Sequence, residues 1–145
     1  MNEHTPVARL SRRPTRLLSL AAMYADRRVN ERLATAEARK WHYALLATLE
    51  QFGPASQSDL SQRTGIYRSD LVSVINELAE RGQVERAPNP ADRRQNVITL
   101  TEEGHRQLLT LDALLAMAEQ DVFAALTPAE RDQLIALLTK LVQHP

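Results

Sequence analysis

Residues 84–104 read Val84-Glu85-Arg86-Ala87-Pro88-Asn89-Pro90-Ala91-Asp92-Arg93-Arg94-Gln95-Asn96-Val97-Ile98-Thr99-Leu100-Thr101-Glu102-Glu103-Gly104. Two short runs, Val84 to Ala87 and Asn96 to Leu100, have the composition of paired strands, and the polar Pro88 to Gln95 between them reads as a long loop. This predicts a hairpin with a basic tip. Thr101 then caps a long helix, and the two glutamates after it suit the positive end of a helix dipole.

Immediately upstream, Leu71, Val74, Ile75 and Leu78 form one apolar stripe, which predicts a helix over about 68–81 with Gly82 at its left-handed C-terminal position. Before it, Ser56 is an N-cap with Asp59 three residues on, opening a two-turn helix that ends near Arg63. Thr64-Gly65-Ile66-Tyr67 is the tight turn between the two. Two short helices joined this way form a helix-turn-helix, and a basic hairpin directly after it makes a winged helix: one helix in the major groove of a duplex, the loop reaching a neighbouring groove.

Further out, Leu17, Leu20, Ala21 and Tyr24 follow Pro14 at helical spacing and predict a helix over about 14–32, with Arg12, Arg13 and Arg16 at its start. Trp41, Leu45, Leu49 and Phe52 predict another over about 36–51, stopped by Gly53-Pro54. Beyond the hairpin, Leu108, Leu111, Leu115, Ala118, Val122 and Ala125 recur at alternating steps of three and four, the pattern of a coiled-coil seam. Thr127-Pro128-Ala129-Glu130 then opens a last helix with Leu134, Leu137, Leu138 and Leu141 on one face. The expected fold is therefore mainly α with a small β-hairpin. Disorder is expected from Met1 to about Leu10 and over the last few residues.

Composition narrows the chemistry. There is no cysteine, which excludes disulfides, thiolate metal sites and thiol switching. No apolar run approaches a membrane span and the N-terminus lacks a secretion signal, so a cytoplasmic protein is expected. The 18 basic and 18 acidic side chains cancel, but unevenly: residues 1–62 carry nine Lys/Arg against six Asp/Glu, and residues 102–145 carry three against seven. An acidic C-terminal part facing away from DNA reconciles neutrality with a polyanionic partner; ordinary solvated surface charge is the other reading.

Ser58-Asp59-Leu60-Ser61, Ile75-Asn76-Glu77-Leu78 before Gly82, Val84-Glu85-Arg86, Asn89-Pro90-Ala91-Asp92-Arg93-Arg94 and Leu100-Thr101-Glu102-Glu103-Gly104 together resemble the MarR (multiple-antibiotic-resistance regulator) family of bacterial winged-helix repressors. The order of elements matches from about residue 14 to the end. Two positions depart from the family pattern: Tyr67 stands where a small N-cap is usual, and Gln83 where an apolar residue follows the glycine. The resemblance implies a transcription regulator, a repressor that binds a pseudo-palindromic operator as a homodimer. It implies a winged helix-turn-helix DNA-binding domain over 36–101, with N- and C-terminal dimerisation helices over 1–35 and 102–145. Their interlocking faces would use Leu17, Leu20, Leu108, Leu111, Leu115, Val122, Leu134, Leu138 and Leu141. It further implies that Arg94 enters the minor groove while Asp92 holds the loop or the arginine.

With the apolar stripe inward, the recognition helix presents Arg68, Ser69, Asp70, Ser73 and Asn76. Arginine can donate two hydrogen bonds to guanine, asparagine can bind adenine through two, and serine reaches a base or a phosphate. Asp70 either accepts from cytosine N4 or caps the helix; Tyr67 either lies on DNA or packs the turn. A narrow minor groove attracts Arg94, Arg93 is assigned to phosphate, and Ser56, Gln57 and Ser58 can donate to phosphate at a helix N-terminus. Similar proteins bind small aromatic or phenolic acids between their two parts, and Tyr24, Arg28, Trp41, His42 and Tyr43 are candidates to line such a cleft. No catalytic constellation or cofactor motif is found, and His105 with Glu102 and Glu103 needs no metal to explain it. The competing class is a winged-helix protein-interaction module that does not bind DNA.

Overall fold

The computed structural model describes residues 7–144. A turn of helix, α1 (Ala8–Ser11), precedes α2 (Pro14–Ala34), where Pro14 sits in the first turn as expected. Residues 8–11 are thus helical where disorder was expected; Met1 to Pro6 and Pro145 lie outside the described residues. There follow α3 (Lys40–Phe52), β1 (Ala55–Ser56), α4 (Gln57–Thr64), α5 (Arg68–Glu80), β2 (Val84–Pro88), β3 (Asn96–Leu100), α6 (Glu102–Val122) and α7 (Pro128–Gln143).

The caps behave as their chemistry requires. Ser56 Oγ accepts from the Asp59 amide at 3.1 Å, Thr101 Oγ1 from Gly104 at 3.0 Å, and Thr127 with Glu130 forms a reciprocal capping box. Gly65 closes α4 in the left-handed conformation, at φ 73°, which is what permits the tight turn. The helix at 36–51 starts later than its apolar spacing predicted, at Lys40. Residues 35–38 form a corner instead, and Glu37 adopts φ 56° there.

The hairpin pairs Val84 with Leu100 and Pro88 with Asn96. A short strand that the sequence reading did not anticipate, β1, joins its other edge, pairing Ala55 with Ile98, so the sheet order is β1-β3-β2, all antiparallel. One continuous core joins Leu33 of α2, Leu45, Leu46 and Leu49 of α3, Leu60 of α4, the α5 stripe, Val84, Ile98, and Leu108 with Leu111 of α6.

That core corrects part of the dimer expectation. Leu108 and Leu111, together with Ala118, are buried inside the single chain, and Leu115 packs against the same cluster. The three-four repeat marks an apolar face but does not say what covers it, and here α2 of the same chain lies along α6. Apolar surface stays exposed elsewhere: Leu17, Leu18, Leu20 and Met23 on α2, and Ile135, Leu137, Leu141 and Val142 on α7, a helix with no buried residue.

Gly104 fixes how the helical part meets the sheet. A Cβ placed there would lie 2.0 Å from the Gln83 carbonyl oxygen and 2.6 Å from Leu100 Cδ1. That carbonyl accepts from the Thr101 amide at 3.2 Å, so it cannot simply turn away. Gly104→Ala is therefore expected to destabilise the fold by about 1–3 kcal/mol, the range for overpacking a filled interior. Denaturant unfolding checks this; a wild-type midpoint would show that α6 does not bear on the hairpin.

Candidate nucleic-acid interface

Recognition-helix side chains sort cleanly by exposure. Leu71, Val74, Ile75 and Leu78 are buried, and Tyr67, Arg68, Ser69, Val72, Ser73 and Asn76 face outward. Asp70 is half-buried in the first turn, where its charge suits the helix dipole. Tyr67 is 79% exposed, so it does not pack the turn. Val72, 41% exposed, was missed by the sequence reading, although its spacing of four from Arg68 and three from Ser69 puts it on their face. An aliphatic group at that place can meet a thymine methyl.

The start of α4, the start of α5 and the wing converge on a groove of about 260 Å³ lined by Ser56, Gln57, Ser58, Arg68, Arg94, Gln95 and Asn96. Arg68 Nη2 donates to Ser58 Oγ at 3.0 Å, bridging the two helices of the helix-turn-helix. The wing tip is ordered by its own hydrogen bonds. Asp92 Oδ1 accepts from the Arg94 amide at 3.0 Å and Asn89 Oδ1 from the Ala91 amide at 3.0 Å, while Asn89 and Gln95 close the loop at 2.9 Å. Asp92 is thus engaged with the backbone of the loop. Arg93 is exposed and stands outside the groove lining.

Asn76 is tied from the wing side, its Oδ1 accepting from Arg86 Nη2. Arg86 was not among the expected residues. The signal was present, because strand alternation puts Arg86 on the face of buried Val84, toward α5.

A second site lies at the other end of the recognition helix. Arg39 Nη2 donates to both carboxylate oxygens of Glu77 at 3.0 Å, and His42 Nε2 meets Glu77 Oε2 at 2.5 Å. His42 Nδ1 accepts the Arg39 amide at 2.9 Å, so the neutral ring carries its proton on Nε2 and donates it to Glu77. His42 is 2% exposed: it is a structural histidine and corrects the expectation that it lines a ligand cleft.

The cleft itself, about 520 Å³, is lined by Asn30, Ala34, Ala38, Arg39, Lys40 and Trp41. Of the five expected residues it includes Trp41. Tyr43 donates its hydroxyl to Asp112 Oδ1 at 2.6 Å, a bond that pushes its pKa up to about 12. Arg28 stacks over Tyr24 at 5.4 Å on the α2 surface. None of these three lines the cleft. Among the described residues, no three His, Asp or Glu side chains group to hold a metal, and no helix is long and apolar enough to cross a membrane.

A helix-turn-helix whose second helix is flanked by a basic three-stranded wing, carried on long outer helices, defines the winged-helix class. Residues 38–95 match the MarR family, and the chain shares the winged-helix fold of that family's regulators. It is 34% identical over 102 residues to a protein of Thauera aromatica assigned as transcriptional regulatory protein for the hcr operon; the match covers 70% of this chain and 61% of that relative. Among solved structures, Bordetella bronchiseptica BpsR is 25% identical with TM-score 0.82, covering 97% of this chain and 100% of that one. A MarR-family regulator from Rhodococcus sp. RHA1 is 26% identical with TM-score 0.78, covering 88% and 90%. Wild-type MarR from E. coli is 25% identical with TM-score 0.75, covering 97% and 98%. The family and these relatives are regulators rather than enzymes.

Burial holds the His42 imidazole below its ordinary value of 6.5, and the hydrogen bond from His42 holds the Glu77 carboxyl below its ordinary 4.5. A second proton on His42 would set two donors, Nδ1–H and the Arg39 amide, against each other. Both shifts are depressions, so stability is complete above pH 6.5 and falls as the pH drops through the histidine range, with a further loss below 4.5. Denaturant melts from pH 8 to 5.5 should show that loss in the wild type and a flatter profile in His42→Gln. Identical profiles would remove His42 from the account.

Proposed function

We propose that this chain is a repressor that binds a pseudo-palindromic operator as a homodimer and is released by a small aromatic acid. The observation that carries the DNA reading is the groove itself, where Ser56 at the cap of α4, Gln57 and Ser58 in its first turn, Arg68 of α5 and Arg94 of the wing line one surface. Serine, glutamine and amide donors suit phosphate, Arg68 suits a guanine edge, and Arg94 suits the negative potential of a narrow minor groove.

In this reading residues 36–101 read DNA, and the flanking helices pair two chains. The exposed apolar faces of α2 and α7 supply the pairing surface: Leu17, Leu20 and Leu141 are bare, and Leu134 and Leu138 are half-covered. The ligand reading rests on the cleft with Arg39, Lys40 and Trp41 in its wall, cations for a carboxylate and an indole for a ring. It is supported by BpsR, whose DNA binding is regulated by 6-hydroxynicotinic acid.

A protein-contact module is the competing class, and salt dependence separates the two. Wild-type protein should bind a duplex selected from a random pool, with affinity falling steeply as salt rises. Arg94→Ala should weaken selected and unselected duplexes alike and reduce the log–log salt slope by about one unit. Asp92→Ala should weaken binding too, although it removes a negative charge, because Asp92 holds the Arg94 amide. Tighter binding by Asp92→Ala with an unchanged slope for Arg94→Ala would mean the wing does not face DNA.

A further inference from the structure

The ion-pair cluster at Glu77 belongs neither to the DNA-facing groove nor to the leucine core, and it borders the cleft. Residues 35–39, the corner between α2 and α3, are pinned from two sides. Arg81, just past the end of α5, donates to the Glu37 carbonyl at 2.8 Å, and Gln107 of α6 donates to the Ala36 carbonyl at 3.2 Å. Glu37 holds φ 56°, a conformation that a non-glycine residue keeps when its surroundings enforce it. Arg39 then joins this corner to Glu77 in the last turn of the recognition helix. The same corner supplies Ala38 and Arg39 to the cleft wall, and the first turn of α3 adds Lys40 and Trp41.

The geometry points to Arg39 as a group shared between the cleft and the recognition helix: an aromatic carboxylate seated against Trp41 takes the Arg39 guanidinium from Glu77, loosens α5 from α3 and so weakens DNA binding. This rests on the reading of α5 as the DNA-contacting helix and of the cleft as the acid's site. Of the two cations in the wall, Lys40 is answered by Asp26 at 2.6 Å on the neighbouring helix. Arg39 offers the planar fork that a carboxylate can take over from another carboxylate. The exchange is feasible because the pair is accessible, with Arg39 56% and Glu77 36% exposed. Glu77 keeps His42 when Arg39 leaves, so α5 changes its hold without leaving the carboxylate unpartnered. By linkage, whatever frees Arg39 must strengthen acid binding by the factor through which the acid weakens the contact.

Trp41 is the chain's single tryptophan, so its fluorescence reports the cleft directly. Benzoate and the uncharged benzamide are titrated into wild type, Glu77→Gln, Arg39→Gln and the double variant; duplex affinity is measured for the same four proteins with and without benzoate. Circular dichroism melts confirm that each is folded, and glutamine at 77 can still accept from His42. Benzoate, and not benzamide, should alter Trp41 emission, and Glu77→Gln should bind it about twofold to fivefold tighter, the range for an exposed ion pair. Each single variant should weaken duplex binding and the double variant no further, while benzoate should weaken the wild-type complex and leave Arg39→Gln unaffected. No response to benzoate in a wild type that binds duplex overturns the cleft reading and the proposal with it. Equal benzoate affinity in wild type and Glu77→Gln, or additive losses in the double variant, overturns the coupling alone. Failure of the wild type to bind any duplex overturns the functional reading on which both stand.

Discussion

Burial of α3 is the constraint from which the other positions follow. The helix packs against α2, α4, α5, α6 and β3, and Leu45, Leu46, Leu49 and His42 are withdrawn from solvent along it. Each buried leucine contributes about 1.5–3 kcal/mol of apolar burial, so no neighbour can move far from α3 without exposing a costly face. The helices that read DNA in the proposed function and the helices that carry the cleft are therefore mounted on one beam. His42 is its polar member, and a neutral imidazole satisfies both of its nitrogens there, through a backbone amide and a carboxylate.

The wing is held by different means. Few of its residues enter the core, and its shape comes from hydrogen bonds within the loop and from the two edges that β3 pairs. Two ties connect it to the rest. At its base, the contact of Gly104 with the Gln83 carbonyl fixes where α6 begins. Along its length, Arg86 reaches Asn76 on the recognition helix. A guanidinium has no acceptor, so the asparagine must turn its carbonyl to the wing, and its NH₂ is the part left for a partner. Gln83 carries a polar side chain into this junction and its Oε1 is buried without a hydrogen-bond partner, a local cost that the fold accepts.

Much of this was legible in the sequence, because the informative signals were local. Ser56, Thr101, Thr127 and Gly65 act through residues three or four positions away, and the α5 stripe repeats within one helix. What escaped depends on distance along the chain. The periodicity from Leu108 to Ala125 showed an apolar face but could not tell a partner chain from α2, which lies more than eighty residues upstream. His42 and Arg39 look like ordinary helix-start residues until Glu77, thirty-five positions on from His42, is placed beside them. The late start of α3 followed from tertiary ties on Glu37 and Ala36 that no propensity encodes. Val72 and Arg86 are of another kind: their faces could be counted, but an apolar residue is readily assumed to point inward and a strand arginine to be solvated.

In the proposed function the groove between α4, α5 and the wing meets duplex DNA, twice per dimer. Hydroxyl-radical and methylation footprinting of a selected duplex tests it in one measurement. Two protected major-groove windows about 10 bp apart are expected, as for paired half-sites, each flanked by minor-groove protection that disappears with Arg94→Ala. A single window, or wing-independent protection spread evenly along the duplex, would contradict it.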